Sequence, residues 1–476
     1  MLARVDNHFR SGGPLGTMSH MTDYASLDRI RLSALHAREL DTFRAARPRS
    51  AALAEQARAH LPGGVPMSWM VKWPGDHPVF VERAAGAHFT CVDGIDHIDL
   101  CLGDTGAMMG HSPEATVEAV TAQLARGITT MLPTDDAIAV STELARRFGL
   151  PYWQFTLTAT DANRQAIRYA RHLTGRRKVV VHDYCYHGSV DEAFATLDSR
   201  GRTTSRRSNI GPPVDPAQTT RVVEFNDVDG LERALAEGDV AAILVEPALT
   251  NIGIVLPDDG YNEAVRELAT RHGALLVNDE THTICAGPGG VTGAESLHPD
   301  LLVIGKSIGG GIPCGTFGFT DEVAERIARS ADLEDIDVGG IGGTLAGNGL
   351  SMAAMRATLE QVMTEAAFDH MILLAQAWAE GVQAGIDAVG APWHVTRLGA
   401  RAEYAFSPAP PRNGHEAHAA DDFELQQYLH LYALNRGILL TPFHNMALMS
   451  PSTTRDDVDV HTVMFHECLR ELFSQP

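Results

Sequence analysis

The sequence predicts an α/β fold built around a mainly parallel sheet, and three observations carry that reading. Short aliphatic runs alternate with helix-like segments through the middle of this 476-residue chain. Each run stops abruptly at polar residues. Between two of the runs lies a segment whose apolar residues fall on one helical face.

The runs are KVVVHDYC (178–185), VAAILVEP (240–247), GALLVNDE (273–280) and LLVIGK (301–306). The helical segment is YNEAVRELATRHG (261–273), with Ala264, Val265, Leu268 and Ala269 on one side. Ligands of such sheets sit beyond the carboxyl ends of the strands. Here those ends carry Tyr186 and His187, Glu246, Asp279, and Lys306. Four polar ends on one sheet predict a site. Residues 78–100 read as two or three strands with turns at Ala85-Gly86 and Asp93-Gly94. GLSMAAMRATLEQVM (349–363) reads as a helix, and Pro- and Gly-containing loops at 392–414 and 436–445 interrupt the C-terminal region beyond it. The expected divisions are a leader (1–21), an N-terminal segment (22–100), a large domain (101–345) and a C-terminal region (346–476). The two end regions together are expected to form a smaller α+β domain.

With 44% hydrophobic and 21% charged residues, the chain has a globular composition. Its net charge of −22 disfavours nucleic acid and anionic membrane as partners, because both are polyanions. No run approaches the ~20 apolar residues of a membrane span. The opening MLARVDNHFRSGGPLGTMSHM lacks the apolar core of a signal peptide. Six cysteines without a CxxC pair suit a reduced, cytoplasmic protein.

Lysine is an odd residue between a buried strand and the glycines of SIGGG. It suits Schiff-base chemistry, in which an amine on a rigid support condenses with an aldehyde and the glycines leave room for a flat ring. Asp279 closes the neighbouring strand, and an acid in that position needs a cationic partner. The protonated ring nitrogen of pyridoxal 5′-phosphate is such a cation. In FTLTATDANRQAIRYAR (155–171) a strand leads through Thr158, Ala159, Thr160 and Asp161 into a helix with Ala166, Ile167 and Ala170 on one face. A helix start rich in small hydroxyl residues presents free N–H and O–H groups to a phosphate, although an ordinary N-cap has the same local sequence. Thr344 in GGTLAGN (342–348) offers a further phosphate hydroxyl, and Tyr186 in CYHGS offers a ring to stack on the cofactor. His182, Cys185 and His187 lack the fourth ligand of a zinc site, and no metal is expected.

The ordered set ATDA, YHGS, EP, NDE, GK and GGT-x-x-GN resembles the class III aminotransferases, fold-type I pyridoxal phosphate enzymes, over roughly residues 60–460. LPGGV (61–65) and GILLTP (437–442) are similar to the branch holding glutamate-1-semialdehyde aminomutase and the β-amino acid transaminases. The resemblance implies that Lys306 holds the cofactor and then shuttles the proton. It implies that Asp279 pairs with the ring nitrogen, Tyr186 and His187 flank the ring, and Glu246 sits near the ring hydroxyl and substrate entrance. Ala159 and Thr160 would hold the phosphate, joined by Thr344 of a second copy, so a homodimer is expected.

Two departures bear on chemistry. Where the family usually has valine two residues after the aspartate, this chain has Thr281, followed by His282. The arginine that β-amino acid and aminomutase relatives carry after the PGG turn is missing from PGGVPMSWMVKW (62–73), which offers Met67, Trp69 and Met70 instead. TPFHNMALMS (441–450) likewise has Phe443 and His444 in place of the late, mobile arginine of many relatives. A transaminase is therefore expected, moving an amino group from an amine or a β- or ω-amino compound with an apolar substituent to an α-keto acid such as pyruvate. Arg401, in RLGARAEY with Arg397, is expected rather than His444 to grip the acid's carboxylate, since guanidinium is always charged. An aminomutase, racemase or decarboxylase of the same fold is the alternative, and a non-catalytic ligand-binding relative the remote one.

Overall fold

The computed structural model describes residues 25–207 and 209–474. The leader expected over 1–21 lies outside the described residues. Seven strands form the central sheet: β1 (Tyr152–Thr156), β2 (Lys178–His182), β3 (Thr220–Val223), β4 (Val240–Val245), β5 (Leu275–Asp279), β6 (Leu301–Gly305) and β7 (Gly315–Phe319). Their spatial order is β1-β7-β6-β5-β4-β2-β3. From β6 through β5, β4 and β2 to β3 every pair is parallel, and only β7 runs against its neighbours.

Every residue of β4, β5 and β6 is buried. A parallel sheet covered on both faces demands that, which is why these strands read as unbroken apolar runs and not as alternating ones. Two of the covering helices are α1 (Ala159–Thr174) and α2 (Tyr261–His272). The first buries Ala166, Ile167 and Ala170, and the second buries Val265, Leu268 and Ala269 with Ala264 at the edge. Register brings the strand ends together, with Asn278 opposite Val245 and Asp279 opposite Val303. Glu246, Asp279 and Lys306 thus emerge at one edge of the sheet.

Outside this sheet, the segment 78–100 holds three antiparallel strands, Val81–Ala85, His88–Cys91 and Asp96–Asp99. A strand from the other end of the chain, Ile438–Leu439, pairs parallel to the last of them with Ile438 opposite Ile98. The loops expected at 392–414 and 436–445 are partly strand. His394–Leu398 and Arg401–Ala405 make a hairpin whose second strand pairs with Met446–Leu448. Gly399 turns this hairpin at φ 55°, where an added Cβ would lie 2.1 Å from the Cys285 carbonyl oxygen. The expected helix at 349–363 is α-helical over Gly349–Ala357 and ends in a π turn over Thr358–Val362.

Candidate active site

At the end of β6 the backbone turns sharply. Lys306 itself has φ 55°, a left-handed conformation that costs a side-chain-bearing residue on the order of 1 kcal/mol and persists where surroundings impose it. The turn aims its amine into a cavity of about 340 Å³ whose wall includes Thr158, Thr160, Tyr186, Asp279 and Thr281.

Asp279 is almost fully buried, and both of its oxygens have hydrogen-bond partners within the protein. Oδ2 accepts from Asn163 Nδ2 at 2.8 Å and faces His187 Nδ1 at 3.0 Å, while Oδ1 accepts the Thr281 backbone N–H at 3.1 Å. Burial alone would raise the Asp279 pKa, but the hydrogen bond and charge of His187, with help from Thr281 and Asn163, hold it below the ordinary value. On the other side, burial pulls His187 down while Cys185 and Asp279 lift it to about 10. Asp279 is therefore an ionised carboxylate at the cavity wall, braced from behind.

Thr158 caps α1. Its Oγ1 accepts the Asp161 N–H at 3.1 Å and donates to Asp161 Oδ2 at 2.9 Å. That hydroxyl is occupied. The free donors at the helix start are the backbone N–H groups of Ala159 and Thr160 and the Thr160 hydroxyl, whose oxygen accepts from Ser189 N at 3.2 Å and keeps its hydrogen available. The helix dipole adds to their pull on an anion. Gly188, at φ 72°, makes this approach feasible, since an added Cβ would lie 2.0 Å from Thr160 Oγ1. Gly188→Ala is accordingly expected to push the Tyr186–Ser189 turn off α1 and weaken binding of pyridoxal 5′-phosphate at least about tenfold, as an absorbance titration of the apo-protein will show.

Other predicted residues are placed differently. Glu246 does not reach the cavity. Buried beneath the Tyr186 turn, it accepts the Tyr186 N–H at 3.1 Å and the Thr250 N–H and hydroxyl at 3.1 and 2.5 Å, so it positions Tyr186 instead of touching a ring hydroxyl. Thr344 is exposed and lines nothing within its own chain. Met67 and Trp69 are exposed as well, and Trp69 meets Phe443 edge-on with ring centroids 6.2 Å apart. Phe443 and His444 line a second cavity of about 80 Å³ with Glu403, whose Oε1 lies 3.2 Å from His444 Nδ1.

Arg397 is exposed, whereas the Arg401 side chain is completely buried. Its Nη2 donates to the Thr250 carbonyl at 2.9 Å, Asp104 and Glu403 stand 4.0 and 3.9 Å away, and Nη1 lies 3.4 Å from His282 Nδ1. His282 in turn touches Lys306, so it stands between Arg401 and the amine. The structure does not bring Arg401 to the cavity. The two acids that offset its buried charge also enclose it.

Sequence reasoning missed Asn163 and Asp104. Asn163 lies inside α1, where nothing marks it apart from an ordinary helical asparagine. Asp104 follows a strand from the other end of the chain, and only the tertiary fold brings it to Lys306. No group of three or more His, Cys, Asp or Glu side chains among the described residues is arranged to hold a metal. No helix among them is long and apolar enough to cross a membrane.

Residues 70–469 match the family described as aminotransferase class-III. The chain belongs to the class III aminotransferases. Glutamate-1-semialdehyde 2,1-aminomutase of Anaeromyxobacter dehalogenans is 34% identical to this aminotransferase over 414 residues, covering 85% of this chain and 94% of the relative. A solved glutamate-1-semialdehyde-aminomutase from Pseudomonas aeruginosa PAO1 is 50% identical with a TM-score of 0.91, covering 94% of this chain and 99% of its own. A lysine-to-alanine variant of that protein is solved in complex with PMP. An omega-transaminase from Sphaerobacter thermophilus is 28% identical with a TM-score of 0.81, covering 89% and 97% of the two chains. The expected α/β, fold-type I architecture is thereby established, and this aminotransferase is a pyridoxal phosphate-dependent enzyme.

The cavity fits that cofactor. A lysine, an ionised aspartate and an anion-binding helix start share one enclosure, and the buried Thr281 hydroxyl beside them has no protein partner.

Proposed function

We propose that this aminotransferase moves an amino group from an amine, or from a β- or ω-amino compound with an apolar substituent, to an α-keto acid such as pyruvate, and that it works as a homodimer. The observation that carries the reading is the Trp69–Phe443 aromatic pair, which stands where β-amino acid and aminomutase relatives are expected to carry carboxylate-binding arginines. Lys72 Nζ, the one cation in the stretch 62–73, lies over the Phe443 ring at 5.5 Å. Aromatic side chains in place of guanidinium groups suit an arylalkyl amine better than a donor with a distal carboxylate.

Bound in the Lys306 cavity, pyridoxal 5′-phosphate supplies an aldehyde that exchanges amines and a ring that draws electrons from the carbon losing its proton. Lys306 would anchor the cofactor and carry the proton between substrate and cofactor carbons. Asp279, kept ionised by His187 and Asn163, would hold the proton on the ring nitrogen. Tyr186 would cover one face of the ring, with Glu246 fixing its backbone. The Ala159 and Thr160 N–H groups and the Thr160 hydroxyl would take the phosphate, and the exposed Thr344 would complete the cradle of a second copy.

Intramolecular transfer is the second reading, favoured by the aminomutase names of the 50% and 34% identical relatives. Incubation of the purified enzyme with an arylalkyl amine and pyruvate is expected to yield alanine in step with amine consumed. Consumption of glutamate 1-semialdehyde without any keto acid, together with no alanine from any amine, overturns intermolecular transfer and selects the mutase.

A further inference from the structure

Among the buried polar groups near Lys306, one set has no part in the chemistry above. His282 Nε2 lies 2.8 Å from Lys306 Nζ, and the same amine donates to the Asp104 carbonyl at 2.9 Å and to Asp104 Oδ2 at 3.2 Å. On its far side His282 Nδ1 faces Thr105 Oγ1 at 3.0 Å and Arg401 Nη1 at 3.4 Å. The imidazole is thus clamped at both nitrogens, between a lysine and an arginine. We infer that His282, seated by Thr105 and Arg401, is a positioning residue that, together with Asp104, holds the Lys306 amine at the cofactor cavity while it is not bonded to the cofactor. This rests on Lys306 being the cofactor-linked lysine.

Three features support the assignment. First, the backbone that delivers Asp104 and Thr105 is strained. Leu102, Gly103, Asp104 and Thr105 all have positive φ, at 45°, 58°, 48° and 81°. Non-glycine residues are sterically disfavoured in this region, and such strain concentrates where a fold imposes a special geometry. Here it turns both the carbonyl and the carboxylate of Asp104 toward one amine. Second, the charges match. Desolvation pushes the Asp104 carboxyl up, but Lys306, His282, Arg401 and His444 together hold it far below the usual carboxylate range. Burial, then Lys306 and Arg401, bring His282 down to about 3 despite the opposing pull of Asp104 and Asp279, so the ring is neutral near pH 7. Third, the neighbours fix the tautomer. The Lys306 ammonium only donates, so Nε2 carries the lone pair that accepts from it, and the ring N–H lies on Nδ1, facing Thr105 Oγ1. A neutral imidazole fixed in one tautomer is a rigid hydrogen-bonding post, and Arg401, 3.4 Å from Nδ1, closes the far side of its seat. This gives Thr281-His282 the function of placing an imidazole beside the lysine.

The test compares His282→Leu, which removes the post, with His282→Gln, whose amide reaches the position of Nε2. For each variant the apo-protein is mixed with pyridoxal 5′-phosphate, recombination is followed by absorbance, and kcat and the donor KM are measured on the holoenzyme. His282→Leu is expected to slow recombination about tenfold and lower kcat about 10- to 100-fold with KM changed less than about threefold, because the amine is no longer held in place. His282→Gln should restore at least half of each loss on a logarithmic scale. Asp104→Asn, which keeps the carbonyl and removes the charge, should show an intermediate effect and serves if the leucine variant does not fold. Unchanged recombination and kcat in both His282→Leu and Asp104→Asn overturn the inference, as does a glutamine variant no better than leucine. A Lys306→Ala control that still binds the cofactor covalently would overturn the assignment of Lys306 itself, a separate failure.

Discussion

Lys306→Ala is expected to abolish turnover, with kcat below about one ten-thousandth of the parent, because no other lysine among the described residues lines the cavity and the same group serves as anchor and proton carrier. Cofactor should still bind through Asp279 and the start of α1, but without the covalent linkage. Borohydride treatment followed by peptide mapping checks this. In the parent enzyme the reduced label belongs on the peptide containing Lys306, and a label on any other lysine sinks the assignment. The circular dichroism spectrum should be unchanged. The variant also leaves Asp104 and His282 without the amine they contact, and the left-handed backbone at 306 remains, so a small fall in the thermal midpoint is expected.

Asp279→Asn is the second large effect. The amide is nearly the same shape but keeps only one acceptor oxygen, so either the Asn163 or the Thr281 contact is lost together with the charge that keeps a ring nitrogen protonated. Cofactor affinity should fall modestly and kcat by about 100- to 1000-fold, the scale associated with removing one preorganised electrostatic partner. His187 will respond too, because its raised pKa depends in part on the Asp279 carboxylate. In the variant its titration should move down toward the ordinary histidine value. A variant with parental kcat removes Asp279 from the site.

The central sheet is legible because burial on both faces writes itself as aliphatic runs, and because polar residues at the ends of β4, β5 and β6 have no business there unless something binds. Lys306 and Asp279 fall in that class, and the Thr158–Asp161 turn stands in the same way after β1. The hairpin 394–405 reads as loop since Pro392, Gly399 and the prolines after Phe406 look like punctuation, whereas only Gly399 turns the chain within it. Arg401 stands out in the sequence, but its surroundings do not. Whether a charged residue faces a substrate or is enclosed by other charges depends on acids at 104 and 403, and no spacing rule links position 104 to position 401. Asp104 is beyond reach for the same reason. Glu246 has the right address at a strand end, yet local hydrogen bonds to Thr250 and Tyr186 consume it, which periodicity does not reveal.

The pairing of Asp96–Asp99 with Ile438–Leu439 bears on the order in which the molecule matures. Asp99 is followed within a few residues by the strained turn that carries Asp104, while the strand bearing Arg401 is held by Met446–Leu448. Both sides of the clamp on Lys306 therefore depend on residues 438–448 being in place. A growing chain can lay down much of the parallel sheet before those residues are made, and its reactive amine is expected to lack its full restraint until then. Pulse-labelled chains stalled before residue 438 should collapse around the sheet and yet recombine with cofactor slowly, and extension past residue 448 should remove that delay. Cofactor capture would then follow the docking of these strands.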